Sequence, residues 1–129
     1  MSTSENDAAE NKAVTRAAWD AFAAGDLPSI MKILTDDIEW VIPGNSKIGG
    51  IYRGKDEVTN FLMTLGSKGF TSEPEHMVAE DDLVVVLARV TADGESSDQA
   101  NVLTFREGKV AKFQSTGDTA LEERIWGTK

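Results

Sequence analysis

Four side chains in this sequence have types suited to acid–base or polarising chemistry: His76, Arg89, Asp118 and Tyr52. His76 is the single imidazole, and imidazole ordinarily titrates near neutrality, as a general base at physiological pH should. It lies beside Met77 and Val78 in a short extended segment, where it faces either a pocket or the surface. Arg89 ends the apolar run Leu83–Ala88. A charge buried in such a run needs a partner. The choices are Asp118, Glu39, Glu75 or an anionic or carbonyl group of a ligand. Asp118 stands near the end of the last strand-like segment. It either reaches a pocket mouth or caps the helix that follows. Tyr52 can donate a hydrogen bond from an otherwise apolar rim, or simply pack. His76, Arg89 and Asp118 are thus the candidate catalytic residues.

The stretch that has to organise these groups is Ile38–Gly54. Ile38, Trp40 and Ile42 alternate with Glu39 and Val41, so one face of a strand is apolar and aromatic. Pro43-Gly44 stops the strand. A loop with paired glycines at 49 and 50 follows, then the extended piece Ile51–Arg53, and Gly54 opens a helix. This is the wall and rim of an apolar pocket, or an ordinary core strand with its loop.

On either side the chain supplies helices first and strands later. Residues Ala8–Ala24 are alanine-rich, with Val14, Ala18, Trp19 and Phe22 at helical spacing. Gly25 ends that helix, and Asp26 caps a second one predicted over Leu27–Leu34. Thr35-Asp36-Asp37 reads as a turn. A third helix is predicted over Lys55–Leu65, where Val58, Phe61, Leu62 and Leu65 recur at three- and four-residue steps. Four strands then follow: Phe70–Ala79, Leu83–Thr91, Asp98–Arg106 and Lys109–Thr116. Pro74 marks the first of these as an edge strand or one bent near its start. Thr119–Trp126 closes the chain as a short helix. The order predicts an α+β domain over residues 8–129, with residues 1–7 a polar, disordered lead-in.

Leu83–Thr91 is apolar on both faces, whereas a sheet with one wet face alternates. Three helices cover one face well. A homodimer packing sheet against sheet, through Val84, Val86 and Val102, covers the other.

The 129 residues carry a net charge of −9, which argues against binding nucleic acid or an anionic membrane. The absence of cysteine removes disulfides, thiolate nucleophiles and Cys metal sites and fits a cytoplasmic protein. No phosphate loop, dinucleotide fingerprint or metal-spaced His/Asp cluster is present, so no cofactor is implied.

The element order, the W-V-I-P-G…G-x-Y-x-G run at Trp40–Gly54, the D-D-L-V-V-V-L-A-R-V-T strand at Asp81–Thr91 and the R-E-G-K-V turn at Arg106–Val110 resemble SnoaL-like proteins. These belong to the superfamily of nuclear transport factor 2, ketosteroid isomerase, scytalone dehydratase and limonene epoxide hydrolase. The resemblance implies a cone: a strongly curved mixed or antiparallel sheet wrapped around a deep apolar pocket, with the long first helix closing one side. Trp19, Phe22, Trp40, Ile42, Tyr52, Phe61, Phe113 and Ser115 are then the expected ligand-contacting residues. Catalytic positions carry over unevenly. The isomerase base precedes the strand proline, where this chain has Ile42. Arg89 matches the hydrolase arginine, but Thr91 and Ser115 stand where that pattern and the cyclases have carboxylates. None of the three replacements is basic at neutral pH.

Two functions follow as expectations. One is an acid–base isomerase, cyclase or hydrolase acting on an apolar cyclic or polyketide-like substrate. The other is a non-catalytic ligand-binding or dimerisation module of the same fold.

Overall fold

Chain-order packing of helices before strands produces one six-stranded sheet with its helices gathered on one side, in a computed structural model of the chain. The structure describes the backbone of residues 4–129 and the side chains from Ala8 onward. The lead-in expected over residues 1–7 therefore has no described side chains, and its first three residues lie outside the described residues.

Helices α1 (Ser4–Ala23) and α2 (Leu27–Lys32) precede strands β1 (Leu34–Ile42) and β2 (Gly50–Arg53). Helix α3 (Gly54–Gly66) leads into β3 (Thr71–Glu80), β4 (Leu83–Ala92), β5 (Glu95–Arg106) and β6 (Lys109–Thr116), and α4 (Thr119–Trp126) ends the chain. The sheet order is β2-β1-β6-β5-β4-β3. β1 and β6 run parallel, and every other pair is antiparallel. The sheet is open, with β2 and β3 as its edges. Bulges interrupt β1 between Leu34 and Glu39, β3 between Pro74 and His76, and β6 at Ala111, opposite Thr104 and Phe105. A bulge bends its strand and increases local twist, so these curl the sheet toward the helices. Pro74 thus marks both an edge strand and a bend.

Local chemistry sets most boundaries. Asp26 caps α2, its carboxylate accepting from the Ser29 amide at 3.2 Å and the Ser29 hydroxyl at 2.6 Å. Asp93-Gly94 and Glu107-Gly108 each have two positive φ angles, 53° and 79°, then 53° and 80°. These two-residue hairpins match the twist of their strands, and glycine at the second position avoids strain. The predicted turn at Thr35–Asp37 instead lies within β1, because the bulge absorbs the two exposed aspartates without ending the pairing. β5 begins at Glu95, which pairs with Ala92, ahead of the strand predicted from Asp98.

The core lies between the concave sheet face and the helices. Ile38, Val58, Val84 and Val86 are fully buried there. Trp19 ties α1 to β3, its indole N–H donating to the Ser72 hydroxyl at 3.0 Å. The dimer residues inferred from sequence are corrected at this point. Val84 and Val86 point inward to the core, and Leu83, Val85 and Leu87 point outward. The strand is apolar on both faces, so its pattern alone did not say which face is which.

Candidate functional site

The concave face, α1, α3 and α4 enclose a cavity of about 120 Å³. Its walls are mainly aromatic and aliphatic. Trp40 and Phe113, opposite one another on the parallel β1–β6 pair, stack with ring centroids 3.9 Å apart and planes 13° from parallel. Trp19 lies 6.3 Å from Phe113, and Phe61 is 6.3 Å from Trp40. Ile42 and Phe22 complete this lining.

Polar groups enter from two elements. On β5 the inward register carries Ser97, Gln99 and Asn101 before it turns apolar at Leu103 and Phe105. On β6 Ser115 lies directly opposite Asn101. Asn101 is 1 % exposed and Ser115 2 %. Asn101 Oδ1, Ser115 Oγ, Trp40 Nε1 and Glu122 Oε1 are all buried without a hydrogen-bond partner. Such an atom ordinarily costs about 1–3 kcal/mol, and native interiors contain few of them. All four are on the walls of this one cavity.

α4 supplies the charge. Asp118 caps it, its carboxylate accepting from the Leu121 amide at 3.0 Å. One turn on, Glu122 projects into the cavity beside Leu121 and Ile125. Burial, and then the neighbouring Asp118 charge, raise the Glu122 pKa to about 7. Gly117 makes room for it. A Cβ there would stand 2.6 Å from Gln99 Nε2 and 2.8 Å from Glu122 Oε2, so the two side chains converge on one spot. The C-terminal residues fasten α4 to the rim loop: Lys47 N–H donates to the Gly127 carbonyl at 2.8 Å and Lys129 N–H to Asn45 at 2.9 Å.

Among the residues singled out from sequence, Trp19, Phe22, Trp40, Ile42, Phe61, Phe113, Ser115 and Asp118 line the cavity. Thr91 does so near the mouth, its hydroxyl 2.8 Å from Ser96. Three others lie elsewhere. Tyr52 packs on Phe61 at 4.5 Å and donates its hydroxyl proton to the Ile48 carbonyl at 2.6 Å, fixing the rim from outside the cavity. Burial raises the pKa of its phenol. Arg89 is on the outer face, paired at 3.1 Å with Asp98, its cross-strand neighbour. The argument for a buried guanidinium therefore does not apply. His76 is exposed opposite Leu87 on that same outer face, away from the cavity. Register decides both cases, because directly paired residues share a face.

Glu122, Asn101 and Gln99 escaped the sequence reading. Signals for them exist: Asp118 and Glu122 fall four apart on α4, and Ser97, Gln99 and Asn101 share the parity of Leu103 and Phe105. Among the described residues, no three His, Cys, Asp or Glu side chains are grouped to hold a metal ion. No helix there is long and apolar enough to cross a membrane.

The same cone occurs in solved structures. Bal32a, from a soil-derived mobile gene cassette, is 23 % identical and superimposes with a TM-score of 0.87, covering 93 % of this chain and 98 % of its own. An NTF2-like protein of unknown function from Burkholderia pseudomallei K96243 is 28 % identical, with a TM-score of 0.80 and coverage of 91 % and 97 %. TerC, co-crystallised with polyporic acid, is 22 % identical, with a TM-score of 0.80 and coverage of 92 % and 99 %. The fold class is therefore NTF2-like. The model of the SnoaL-like domain family matches residues 15–113, and the chain belongs to that family.

Proposed function

We propose that this chain is an acid–base enzyme that acts on an apolar cyclic small molecule bearing oxygen, with Glu122 as the group that moves the proton. One observation carries the reading: a carboxyl in the wall of a mainly apolar cavity, one oxygen buried and unpartnered, with its pKa raised to about 7. A general base works best when its pKa lies near the operating pH. Deprotonated Glu122 would take a proton from carbon or water and return it when protonated. Hydrogen-bond donors on the same walls, Trp40 Nε1–H and the Ser115 hydroxyl, would meet developing oxygen charge. The family's usual carboxylate positions hold Ile42, Thr91 and Ser115. Glu122 offers a carboxylate from a different element. TerC, similar in fold, was co-crystallised with polyporic acid, which supports a pocket that accepts such cyclic ligands.

The test is proton exchange. A panel of steroid, terpenoid and polyketide ketones is incubated with the protein in deuterated buffer and followed by NMR. Exchange should rise with pH through about 7, as Glu122 ionises, and fall about 10²–10⁴-fold in Glu122→Gln. A variant as active as the wild type removes Glu122 from the chemistry. Binding without exchange throughout the panel leaves the second reading, a ligand-holding module, which the missing family carboxylates favour.

The assembly we propose is a homodimer through the outer sheet face. Ile51, Val41, Gln114, Val102, Val85 and Val78 form one row across all six strands. Leu83 and Leu87 flank it at 40 % and 42 % exposure. Contiguous exposed apolar surface of this kind marks a protein interface. The wild type should sediment as a dimer at micromolar concentration, and Leu87→Glu as a folded monomer. A monomeric wild type overturns the assembly.

A further inference from the structure

The Asn101–Ser115 pair distinguishes between kinds of oxygen. The two residues face one another across β5 and β6 on the cavity wall. Both are almost wholly buried, and neither Asn101 Oδ1 nor Ser115 Oγ has a partner. Their capacities differ. An amide oxygen only accepts, whereas a serine hydroxyl donates one hydrogen bond and accepts others. A ligand hydroxyl placed between them donates to Asn101 Oδ1 and accepts from Ser115. A ketone or ether oxygen can accept from Ser115 but leaves Asn101 Oδ1 unmet. A hydrocarbon satisfies neither. Phe113 lies two residues before Ser115 on the same strand face and stacks on Trp40. A ring carrying the hydroxyl therefore has an aromatic wall beside the polar pair.

We propose that Asn101 and Ser115 form a subsite for a hydroxyl group, as alcohol, enol or phenol, carried on an apolar ring. This rests on the cavity being a ligand site and adds which oxygen it selects. In an enolising reaction, such a subsite would favour the enol over its keto form. Glu122 is not needed for the selection.

Calorimetric titration of the whole protein with 2-naphthol, 2-methoxynaphthalene and naphthalene tests this. The wild type should bind 2-naphthol about tenfold more tightly than naphthalene, the ordinary worth of one buried hydrogen bond. It should bind 2-methoxynaphthalene more weakly than 2-naphthol, because an ether oxygen leaves Asn101 Oδ1 unmet. Asn101→Leu and Ser115→Ala should each reduce the preference for 2-naphthol over naphthalene, and Asn101→Leu also its preference over 2-methoxynaphthalene, while both still bind naphthalene. Ligand-free Asn101→Leu should melt at or above the wild-type temperature, because it removes an unpartnered buried acceptor. An asparagine serving only the fold would give the opposite pattern, a lower melting temperature with the preference intact. If Asn101→Leu does not fold, the smaller Ser115→Ala change carries the test alone. Equal wild-type affinity for 2-naphthol and naphthalene overturns the subsite and leaves the cavity as a ligand site. Failure of all three probes to bind overturns both. Proton exchange by Glu122→Gln tests the acid–base role independently.

Discussion

The two faces of the sheet treat their polar groups in opposite ways. On the outer face charges sit opposite countercharges: Arg89 with Asp98 at 3.1 Å, and Arg53 with Glu39 at 3.4 Å. On the inner face Asn101 Oδ1, Ser115 Oγ and Trp40 Nε1 are buried without a hydrogen-bond partner, and Glu122 adds an unpartnered carboxyl oxygen from α4. Asp98 and Gln99 are consecutive on β5, yet one joins a surface ion pair and the other lines the cavity. A polar group whose needs are met locally can be explained by the fold alone. A buried group whose needs are unmet costs stability, and a ligand would satisfy it. The chemistry of this molecule is therefore sought where pairing fails.

The sharpest way to break this division is at two adjacent residues. Val86 is fully buried and Leu87 is 42 % exposed. Val86→Asp puts an unpaired carboxylate in the core and should destabilise the fold by more than about 4 kcal/mol, giving insoluble or unfolded protein. Leu87→Glu should change the stability of the monomer by only about 0.5 kcal/mol while dissociating the dimer. Denaturant unfolding and sedimentation distinguish the two. A soluble, folded Val86→Asp monomer would mean that the faces have been assigned the wrong way round.

The next effect is a pH dependence peculiar to the inner face. Folding raises the Glu122 pKa from an ordinary 4.5 to about 7. Between those values the folded state keeps a proton that the unfolded chain has released. Stability from this group is therefore fully present below about 4.5, falls as pH rises to about 7, and is level above. Because Glu122 is only half-buried, solvent screening limits the change to roughly 1–2 kcal/mol. Other carboxylates, such as Asp37, whose pKa its Arg106 hydrogen bond lowers, act in the opposite sense. The quantity to measure is therefore the difference between wild type and Glu122→Gln in urea midpoints from pH 4 to 8. A constant difference would show that Glu122 ionises as it does in water.

How much of this was legible in the sequence depends on which periodicity carried the signal. The helices over Ala8–Ala24 and Lys55–Leu65, and the strand Ile38–Ile42, had clear apolar repeats with glycine or turn residues beyond them, and the elements fall there. The aromatic residues Trp19, Phe22, Trp40 and Phe61 were readable because they fell on those repeats, and with Phe113 they line the cavity. Strand parity was not readable at Leu83–Thr91, where both faces are apolar, and Arg89 was placed inside on that account. Asn101 and Glu122 were overlooked because polarity ordinarily means solvent. Glu122 is interior because α4 packs Leu121 and Ile125 onto Ala92 of β4 and Phe70, and Asn101 because its register faces the concave side of the sheet. Charge in an apolar run led to the outer face, and polar residues in an apolar register lead to the cavity.

The smallest expected effect falls on the residue that stands out most in the sequence. Arg89 is half-exposed, and among the described residues it pairs with Asp98 across the strand pair, whose side chain is 76 % exposed. Exposed pairs of this kind contribute about 0.2–1 kcal/mol. Arg89→Met preserves most of the stem that lies along the sheet and removes the charge. It should lower stability by no more than that amount. It should also leave ligand affinity unchanged for both oxygenated and apolar rings, because the side chain is on the far side of the sheet from the cavity. What it should alter is the outer face: a methionine beside Leu87, with Asp98 left without its countercharge, changes the surface through which the dimer is proposed to form. The measurement is therefore paired, titration of an oxygenated and an apolar ligand alongside sedimentation of the variant. Unchanged affinity with a shifted monomer–dimer equilibrium fits an outer-face residue. A selective loss of affinity for the oxygenated ligand would return Arg89 to the site, and the contrast between the two faces would then no longer locate the chemistry.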